Sequence, residues 1–239
     1  MQRLKKLGLV GGIGPASTIT YYQKINEGYQ SALTHPPKCG ASLPMVIDSL
    51  DLSVAYDLVD KKDWDAFTSL FVNSICTLHR AGAEIAAITA NTAHIVFEQI
   101  AKKSPIPVIG LVDETCKFAK SRGIENIIVF GTAFTMSSGM YEAQCEKYGI
   151  TVVVPTERDR QVIHNIIFPN LVAGIVTEED RHKILEIANR MLQKHPGSAI
   201  ALACTELPLI LSVDDIDAPL LDTTSLHIQA ILQKVMERL

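Results

Sequence analysis

The segment Ala199-Ile-Ala-Leu-Ala-Cys204-Thr205-Glu206-Leu207-Pro208 decides how the rest of the chain is interpreted. Its first five residues are small and apolar, which predicts a buried strand, and apolar residues then recur at helical spacing. Cys204 therefore falls at the carboxyl end of a strand, where open α/β sheets bind their ligands. A helix that starts there would lower the pKa of the thiol. The alternative is a small core residue, a common role for cysteine.

The same arrangement occurs in the first half of the chain with one change. Residues 85–89 predict another strand, and Ala90-Asn91-Thr92-Ala93-His94 follows it. When ANTAH is aligned with CTELP, Ala90 takes the position of Cys204, 114 residues earlier and close to half the chain length. This repeat indicates a duplicated α/β architecture.

Composition limits the class of protein. The chain has 239 residues, of which 47% are hydrophobic and 20% charged, enough for one large or two ordinary domains with a core. The net charge of −4 offers no basic face for nucleic acid. No apolar run approaches the roughly 18 residues that span a bilayer, and the apolar run at 7–10 is too short for a signal peptide. We therefore expect neither a nucleic-acid nor a membrane partner.

The cysteines predict a reducing compartment. Their number is odd, and they form neither a CxxC pair nor a cluster with histidines that would bind a metal. They lie at positions 39, 76, 116, 145 and 204. Free thiols, a cytoplasmic location and no bound metal are the expectation.

The chain contains two sets of four predicted strands with helices between them. These strands are at 7–10, 45–50, 85–89, 106–111, 126–130, 151–154, 199–203 and 219–221. Helices are predicted to continue from about 135 to 149 and from about 160 to 173. VIGLVDETCKFA (108–119) parallels APLLDTTSLHIQA (218–230), and LGLVGGIGP parallels IIVFGTAFT.

The fold class expected from this pattern is α/β with two pseudo-symmetric domains. Each domain should hold a mainly parallel four-stranded sheet flanked by helices, with the active site in the cleft between the domains. The first domain is assigned to residues 1–112 plus a C-terminal helix at 223–239. The second is assigned to residues 113–222.

Gly12 lies in a glycine turn, Gly11-Gly12-Ile13-Gly14-Pro15, that follows the first strand. Ser17 stands where a dinucleotide fingerprint has its third glycine, so a nucleotide site is not favoured. A tight turn whose backbone N–H groups face a small substrate is the preferred interpretation.

Short polar side chains follow the other strands. Asn91, Thr92 and Thr205 could bind a carboxylate and stabilise an enolate-like oxyanion. Thr132 and Thr135 occupy the equivalent turn in the second half. All of these residue types also cap helices, and the two roles can coexist.

Arg160 follows another strand end and could hold a side-chain carboxylate with two hydrogen bonds, although exposed arginines are common. No Ser-His-Asp order, carboxylate pair or P-loop stands out. The predicted chemistry therefore depends on the thiol of Cys204.

Five segments together resemble the cofactor-independent aspartate/glutamate racemases across essentially the full length of the chain. They are LGLVGGIGP (7–15), NTAH (91–94), the GTxxT turn (131–135), CTELP (204–208) and DTTSLHIQA (222–230). The resemblance implies a homodimer of pseudo-symmetric α/β subunits. It also implies an isomerase that moves the α-proton of aspartate or glutamate without pyridoxal phosphate or any other cofactor.

The resemblance also implies two catalytic cysteines, one in each domain, that work on opposite faces of the substrate. Cys204 matches the second, whereas Ala90 stands where the first is expected. Alanine has no proton to give or accept, so position 90 departs from the two-base pattern.

Three accounts of Ala90 are open at this point. The protein could racemise an acidic amino acid with one thiol plus another proton donor. It could be a single-cysteine decarboxylase or isomerase of small dicarboxylates, as the related arylmalonate decarboxylases suggest. It could also be an impaired ligand-binding homologue or an engineered Cys→Ala variant.

Overall fold

The computed structural model describes residues 4–34 and 40–237, so Cys39 lies outside the described residues. The chain divides into two compact units. One runs to Gly110 and resumes at His227, and the other is Leu111–Leu226. The domains assigned from the sequence end after residues 112 and 222. The two units of the structure are divided after Gly110 and after Leu226 instead.

The first unit contains a four-stranded parallel sheet. Its strands are β1 (Leu7–Gly11), β2 (Met45–Ser49), β3 (Ile85–Ile88) and β4 (Val108–Ile109), in the spatial order β2-β1-β3-β4. Every residue of β1 and β3 is buried, as in parallel strands whose two faces are both covered by helices. Leu9 pairs with Ile47 on one side and with Ala87 on the other.

Helices cover this sheet. They are α1 (Pro15–Ala32), α2 (Leu52–Asp60), α3 (Trp64–Arg80), a 3-10 helix (Thr92–Val96) and α4 (Phe97–Lys103). Asp51 and Asp63 cap α2 and α3 by accepting hydrogen bonds from backbone N–H groups of the first turn. Phe67, Phe71 and Ile75 on α3 are fully buried and form the core under the sheet.

The second unit repeats this topology. Its strands are β5 (Asn126–Gly131), β6 (Thr151–Val153), β7 (Ala199–Ala203) and β8 (Leu220–Asp222), in the order β6-β5-β7-β8 and all parallel. In both units the first strand lies between the second and the third. The expected α/β fold class with two four-stranded parallel sheets is therefore confirmed.

The helices of the second unit are α5 (Leu111–Ser121), α6 (Ala133–Ser137), α7 (Met140–Glu146), α8 (Glu157–Asn165) and α9 (Glu178–Lys194). Thr177 caps α9 by accepting from the backbone N–H of Asp180. The last helix, α10 (Thr223–Met236), follows β8 directly. Asp222 caps it by accepting from the backbone N–H of Ser225.

Three elements differ from the sequence-based expectation. β4 has two residues instead of six, because Pro107 lacks an N–H and Leu111 already begins α5. Gly139, with φ +74°, separates α6 from α7 where one helix was expected. α8 ends at Asn165, and irregular turns around Pro169 replace its expected continuation.

Across the part of the chain that the structure describes, no helix has both the length and the apolar composition needed to cross a membrane.

Candidate functional site

The glycine turn after β1 has a backbone that only glycine fits. Gly12 has φ +85°, and a Cβ placed on it would lie 2.1 Å from the carbonyl oxygen of Leu50. The Gly12 N–H donates to Thr18 Oγ1 at 2.9 Å. The amide is thus engaged within the turn, and the expected contact between Gly12 and a substrate stays a prediction.

Three hydroxyl groups fasten the ends of β1 and β3 to the start of α1. Ser17 Oγ donates to the carbonyl of Thr89 at 2.6 Å. Thr89 Oγ1 donates to the carbonyl of Val10 at 3.2 Å and lies 3.3 Å from Thr18 Oγ1. Thr89 is 1% exposed, so its side chain is buried in the first unit. This network fixes the backbone immediately before Ala90.

Ala90 follows β3 and packs in the core of the first unit. Asn91 and Thr92 come next and are half-buried at the start of the 3-10 helix. The side chain of Asn91 makes no capping hydrogen bond to this helix. Helix capping therefore does not account for Asn91, and the substrate-binding interpretation stays open for both residues.

His94 holds the backbone of residue 90. Its Nδ1 lies 3.0 Å from the carbonyl oxygen of Ala90 and 3.3 Å from that of Asn91. Because a carbonyl only accepts, Nδ1 carries the proton. The ring is stacked on Phe97 at 5.1 Å, and burial lowers the pKa of His94 to about 4. His94 is thus a neutral donor that positions the strand end.

His227, within the DTTSLHIQA segment, plays a similar structural role that sequence reasoning missed. Its Nε2 donates to the carbonyl of Ile109 at 3.0 Å, and its Nδ1 accepts from the Tyr21 hydroxyl at 2.8 Å. Burial, with a smaller effect of the nearby His94, lowers the pKa of His227 to about 3. The position of His227 within the DTTSLHIQA segment, which resembles the racemases, was the feature of the sequence that could have indicated this role.

Cys204 follows β7 directly, as expected, and is half-buried. Its thiol donates to Glu206 Oε2 at 2.9 Å. The Thr205 hydroxyl donates to the same oxygen at 2.8 Å. Three consecutive residues thus form a compact group of thiol, hydroxyl and carboxylate at the carboxyl end of the central strand.

The expected acidic thiol is wrong. Burial, then the negative charge of Glu206 and its hydrogen bond, raise the pKa of Cys204 well above its ordinary value. The backbone N–H groups of Glu206 and Thr205 oppose this shift with a smaller effect. The helix that follows is a 3-10 turn of three residues, Leu207–Leu209, which is too short for a substantial dipole. Glu206 stands two residues after the thiol, and its effect on the pKa of Cys204 was not predicted.

Thr132 and Thr135 follow β5, the neighbour of β7. Thr132 Oγ1 accepts from the backbone N–H of Thr135 at 3.2 Å and lies 3.0 Å from Thr135 Oγ1. Thr132 is therefore the N-cap of α6, while Thr135 is 2% exposed. The capping role expected as an alternative holds for Thr132, and substrate binding by either threonine stays a prediction.

Arg160 lies in the first turns of α8 and is half-buried, whereas Arg158 is exposed. Within residues 4–34 and 40–237, no acidic side chain forms an ion pair with Arg160. Asp159, its neighbour, pairs with Arg190 at 2.7 Å. The charge of Arg160 is thus not neutralised by these residues.

Each sheet gathers its predicted residues at its carboxyl edge. In the first unit, Gly12 follows β1, and Ala90, Asn91 and Thr92 follow the adjacent β3. In the second unit, Thr132 follows β5 and Cys204 and Thr205 follow β7, while Thr135 and Arg160 lie in the helices α6 and α8 that come after β5 and β6. The described residues include no group of three or more His, Cys, Asp or Glu side chains that could hold a metal ion.

Comparison with known proteins identifies the family. The family model Asp/Glu/Hydantoin racemase matches residues 10–231. The broad specificity amino-acid racemase RacX of Bacillus subtilis is 21% identical over 92% of this chain and 93% of its own.

Two crystal structures show the same similarity. A candidate Asp/Glu racemase from Yersinia pestis is 31% identical, with a TM-score of 0.90 over 98% of this chain and all of its own. An aspartate racemase homologue from Pyrococcus horikoshii is 26% identical, with a TM-score of 0.87 over the same shares. The match of the family model across most of the chain, on a fold with two four-stranded parallel sheets, shows that this protein belongs to the Asp/Glu/Hydantoin racemase family.

Proposed function

We propose that this member of the family is a cofactor-independent racemase-type enzyme that acts on aspartate or glutamate, with Cys204 as its acid/base. The observation that supports the proposal most directly is the Cys204 thiol at the carboxyl end of β7, hydrogen-bonded to a carboxylate 2.9 Å away. A racemase must transfer a proton at the α-carbon, and a thiol can both take and give one.

The proposed reaction needs stabilisation of negative charge. Removing the α-proton leaves a carbanion whose charge spreads onto the α-carboxylate as an enediolate. Asn91, Thr92 and Thr132 are the proposed side-chain donors to this oxyanion, and each has a polar side chain that is not fully buried. Thr205 is a fourth proposed donor, whose hydroxyl must turn from Glu206 Oε2 to the substrate. Thr135 and Gly12 shape the turns beside these donors. Preorganised donors of this kind stabilise the developing charge more than water does.

Ala90 limits the stereochemical outcome of the proposed reaction. A thiolate at Cys204 can take the α-proton from one face, and the resulting thiol returns a proton to the same face. That sequence exchanges the α-hydrogen with solvent and retains the configuration. Inversion needs a second donor on the other face, which the methyl group of Ala90 cannot provide. We therefore propose that exchange is faster than inversion and favours one enantiomer.

Arg160 is the proposed anchor for the distal carboxylate of the substrate. Arg160 is half-buried and forms no ion pair with the described acidic residues. A guanidinium can bind a carboxylate through two parallel hydrogen bonds, which selects dicarboxylic amino acids over neutral ones.

The proposal is tested by incubating the purified protein in deuterated water with each enantiomer of aspartate and glutamate. Proton NMR follows loss of the α-hydrogen signal, and chiral chromatography follows inversion. We expect α-deuteration of at least one enantiomer, and loss of that exchange in Cys204→Ala. A folded protein that exchanges neither amino acid would overturn the proposal.

One second candidate is favoured by the Glu206 carboxylate 2.9 Å from the Cys204 thiol, since this negative charge, with burial, raises the pKa of the thiol. A thiol that stays protonated suits a decarboxylase of small dicarboxylates, in which loss of carbon dioxide leaves an enediolate that the thiol protonates. Release of carbon dioxide from substituted malonates, abolished in Cys204→Ala, would favour this reaction over racemisation. Thermal stabilisation by ligands without either reaction would indicate a binding protein.

We further propose that the protein acts as a homodimer in the cytoplasm. The similarity to the amino-acid racemase of Bacillus subtilis supports a small-molecule substrate. Size-exclusion chromatography with light scattering tests the assembly, and a mass of one chain across the working concentrations would overturn it.

A further inference from the structure

One carboxylate oxygen receives two hydrogen bonds beside the catalytic thiol. Glu206 Oε2 lies 2.9 Å from Cys204 Sγ and 2.8 Å from Thr205 Oγ1. The thiol and the hydroxyl are the donors at these contacts, which suits an ionised carboxylate because it only accepts. The three side chains therefore fit a neutral thiol next to a negatively charged glutamate.

Ionising the thiol would place a second negative charge 2.9 Å from the first. Like charges at this separation disfavour each other strongly in a half-buried site, where water screens them poorly. Among the described residues, Glu206 is the charged group that acts on Cys204, and the backbone N–H groups of Thr205 and Glu206 oppose it only in part. The proton therefore stays on sulfur in the free enzyme.

We infer that Glu206 holds Cys204 in its protonated state in the free enzyme, so that the thiol must give its proton to solvent before it can take one from the substrate. The part of this inference that concerns the substrate rests on the proposed function. The part that concerns the protonation state of Cys204 does not.

Two features of this chain limit proton transfer by its side chains. Ala90 removes a proton-transferring side chain at one strand end, and Glu206 keeps the remaining thiol protonated at the other. In the exchange reaction, Cys204 first releases its proton to solvent, and the thiolate then takes the α-proton of the substrate, which leaves the carbanion. The resulting thiol exchanges this proton with solvent and protonates the same carbon, which leaves a thiolate next to the Glu206 carboxylate. This unfavourable pair takes one proton from solvent, which restores the thiol and balances the cycle.

Alkylation of Cys204 by iodoacetamide measures its protonation state without any substrate, because only the thiolate reacts. Rates are followed peptide by peptide with mass spectrometry over a series of pH values. We expect the midpoint for wild-type Cys204 to lie above the ordinary value of about 8.5. Glu206→Gln and Glu206→Ala should lower it by about one unit or more, so that alkylation near neutral pH becomes about tenfold faster.

Matched controls separate charge from packing. Glu206→Asp keeps the negative charge and should keep the high midpoint. Cys76, half-buried on α3 in the other unit, serves as an internal control whose profile should not change with any Glu206 variant. The midpoint is the readout, because a change of access alone alters the limiting rate at high pH and leaves the midpoint in place.

A wild-type midpoint at or below the ordinary value would overturn the inference, and this measurement needs no substitution. An unchanged midpoint in folded Glu206→Gln and Glu206→Ala would also overturn it. A shifted midpoint in a protein that exchanges no α-hydrogen overturns the proposed function alone. Exchange with an unshifted midpoint overturns the role of Glu206 alone.

Discussion

Acidification should destabilise the protein through two buried histidines, His94 and His227. Burial lowers the pKa of His94 to about 4 and that of His227 to about 3. Both rings are committed to hydrogen bonds with backbone carbonyls, of Ala90 and Ile109 respectively. Each histidine is therefore neutral in the folded protein at neutral pH and must stay neutral to remain buried.

The direction and magnitude of this destabilisation follow from the number of protons that the folded and unfolded chains bind. The ordinary pKa of histidine is about 6.5, so below that pH the unfolded chain binds protons that the folded chain excludes. The stability is fully present above about pH 6.5 and is lost as the pH falls toward the folded pKa values. Between pH about 7 and about 5, each histidine should remove about 2 kcal/mol from the free energy of unfolding.

Urea unfolding at the two pH values measures this loss directly. His94→Asn can keep a donor near the Ala90 carbonyl but cannot take up a proton. Its loss of stability between the two pH values should therefore be smaller than that of the wild type by about 2 kcal/mol. His182→Gln, which replaces an exposed histidine on α9, is the matched control and should show the wild-type loss. An equal loss in wild type and His94→Asn would refute the reasoning.

Three further outcomes are expected. Gly12→Ala should cost about 3 kcal/mol or more in urea unfolding, since its φ is +85° and its new Cβ meets the Leu50 carbonyl. Arg160→Ala should raise KM for acidic substrates by about tenfold or more, with a smaller effect on kcat, if the guanidinium binds the distal carboxylate. Cys116 and Cys145 are fully buried with their sulfur atoms 2.6 Å apart, so alkylation should modify them only after denaturation.

Each of these has a control within the chain. Gly123→Ala places a Cβ at a similar positive φ with no atom within 4 Å, and a loss as large as that of Gly12→Ala would contradict the steric argument. Arg158→Ala removes an exposed arginine from the same helix, and an equal KM effect would contradict a specific role for Arg160. Rapid native alkylation of Cys116 at the rate of half-buried Cys76 would contradict its burial.

Most strands were predictable because a short run of apolar residues along the sequence is enough to indicate a buried strand. Residues 7–11 and 199–203 are short apolar runs with covered faces, and each is followed by glycine or polar residues that end the strand. The repeat of this pattern 114 residues apart predicted a duplicated fold, and the two sheets share one strand order. Positions at the strand ends therefore followed from sequence alone.

Properties that depend on atomic distances were not predictable in the same way. The pKa of Cys204 depends on which oxygen accepts a hydrogen bond from its thiol. The spacing of residues in the sequence does not show that the Glu206 carboxylate lies within hydrogen-bond distance of this thiol. The engagement of the Gly12 amide by Thr18 likewise depends on the path of a turn. The break between α6 and α7 at Gly139 required a positive φ that the sequence permits but does not impose.

The ratio of α-deuteration with retention to inversion, measured for one acidic amino acid in deuterated water, tests the central claim most directly. With Cys204 as the single thiol and Ala90 unable to donate, the wild type should exchange one enantiomer without inverting it. Ala90→Cys should then raise inversion by about a hundredfold or more. A wild type that inverts as fast as it exchanges, or a Cys204→Ala variant that retains exchange, would contradict the account.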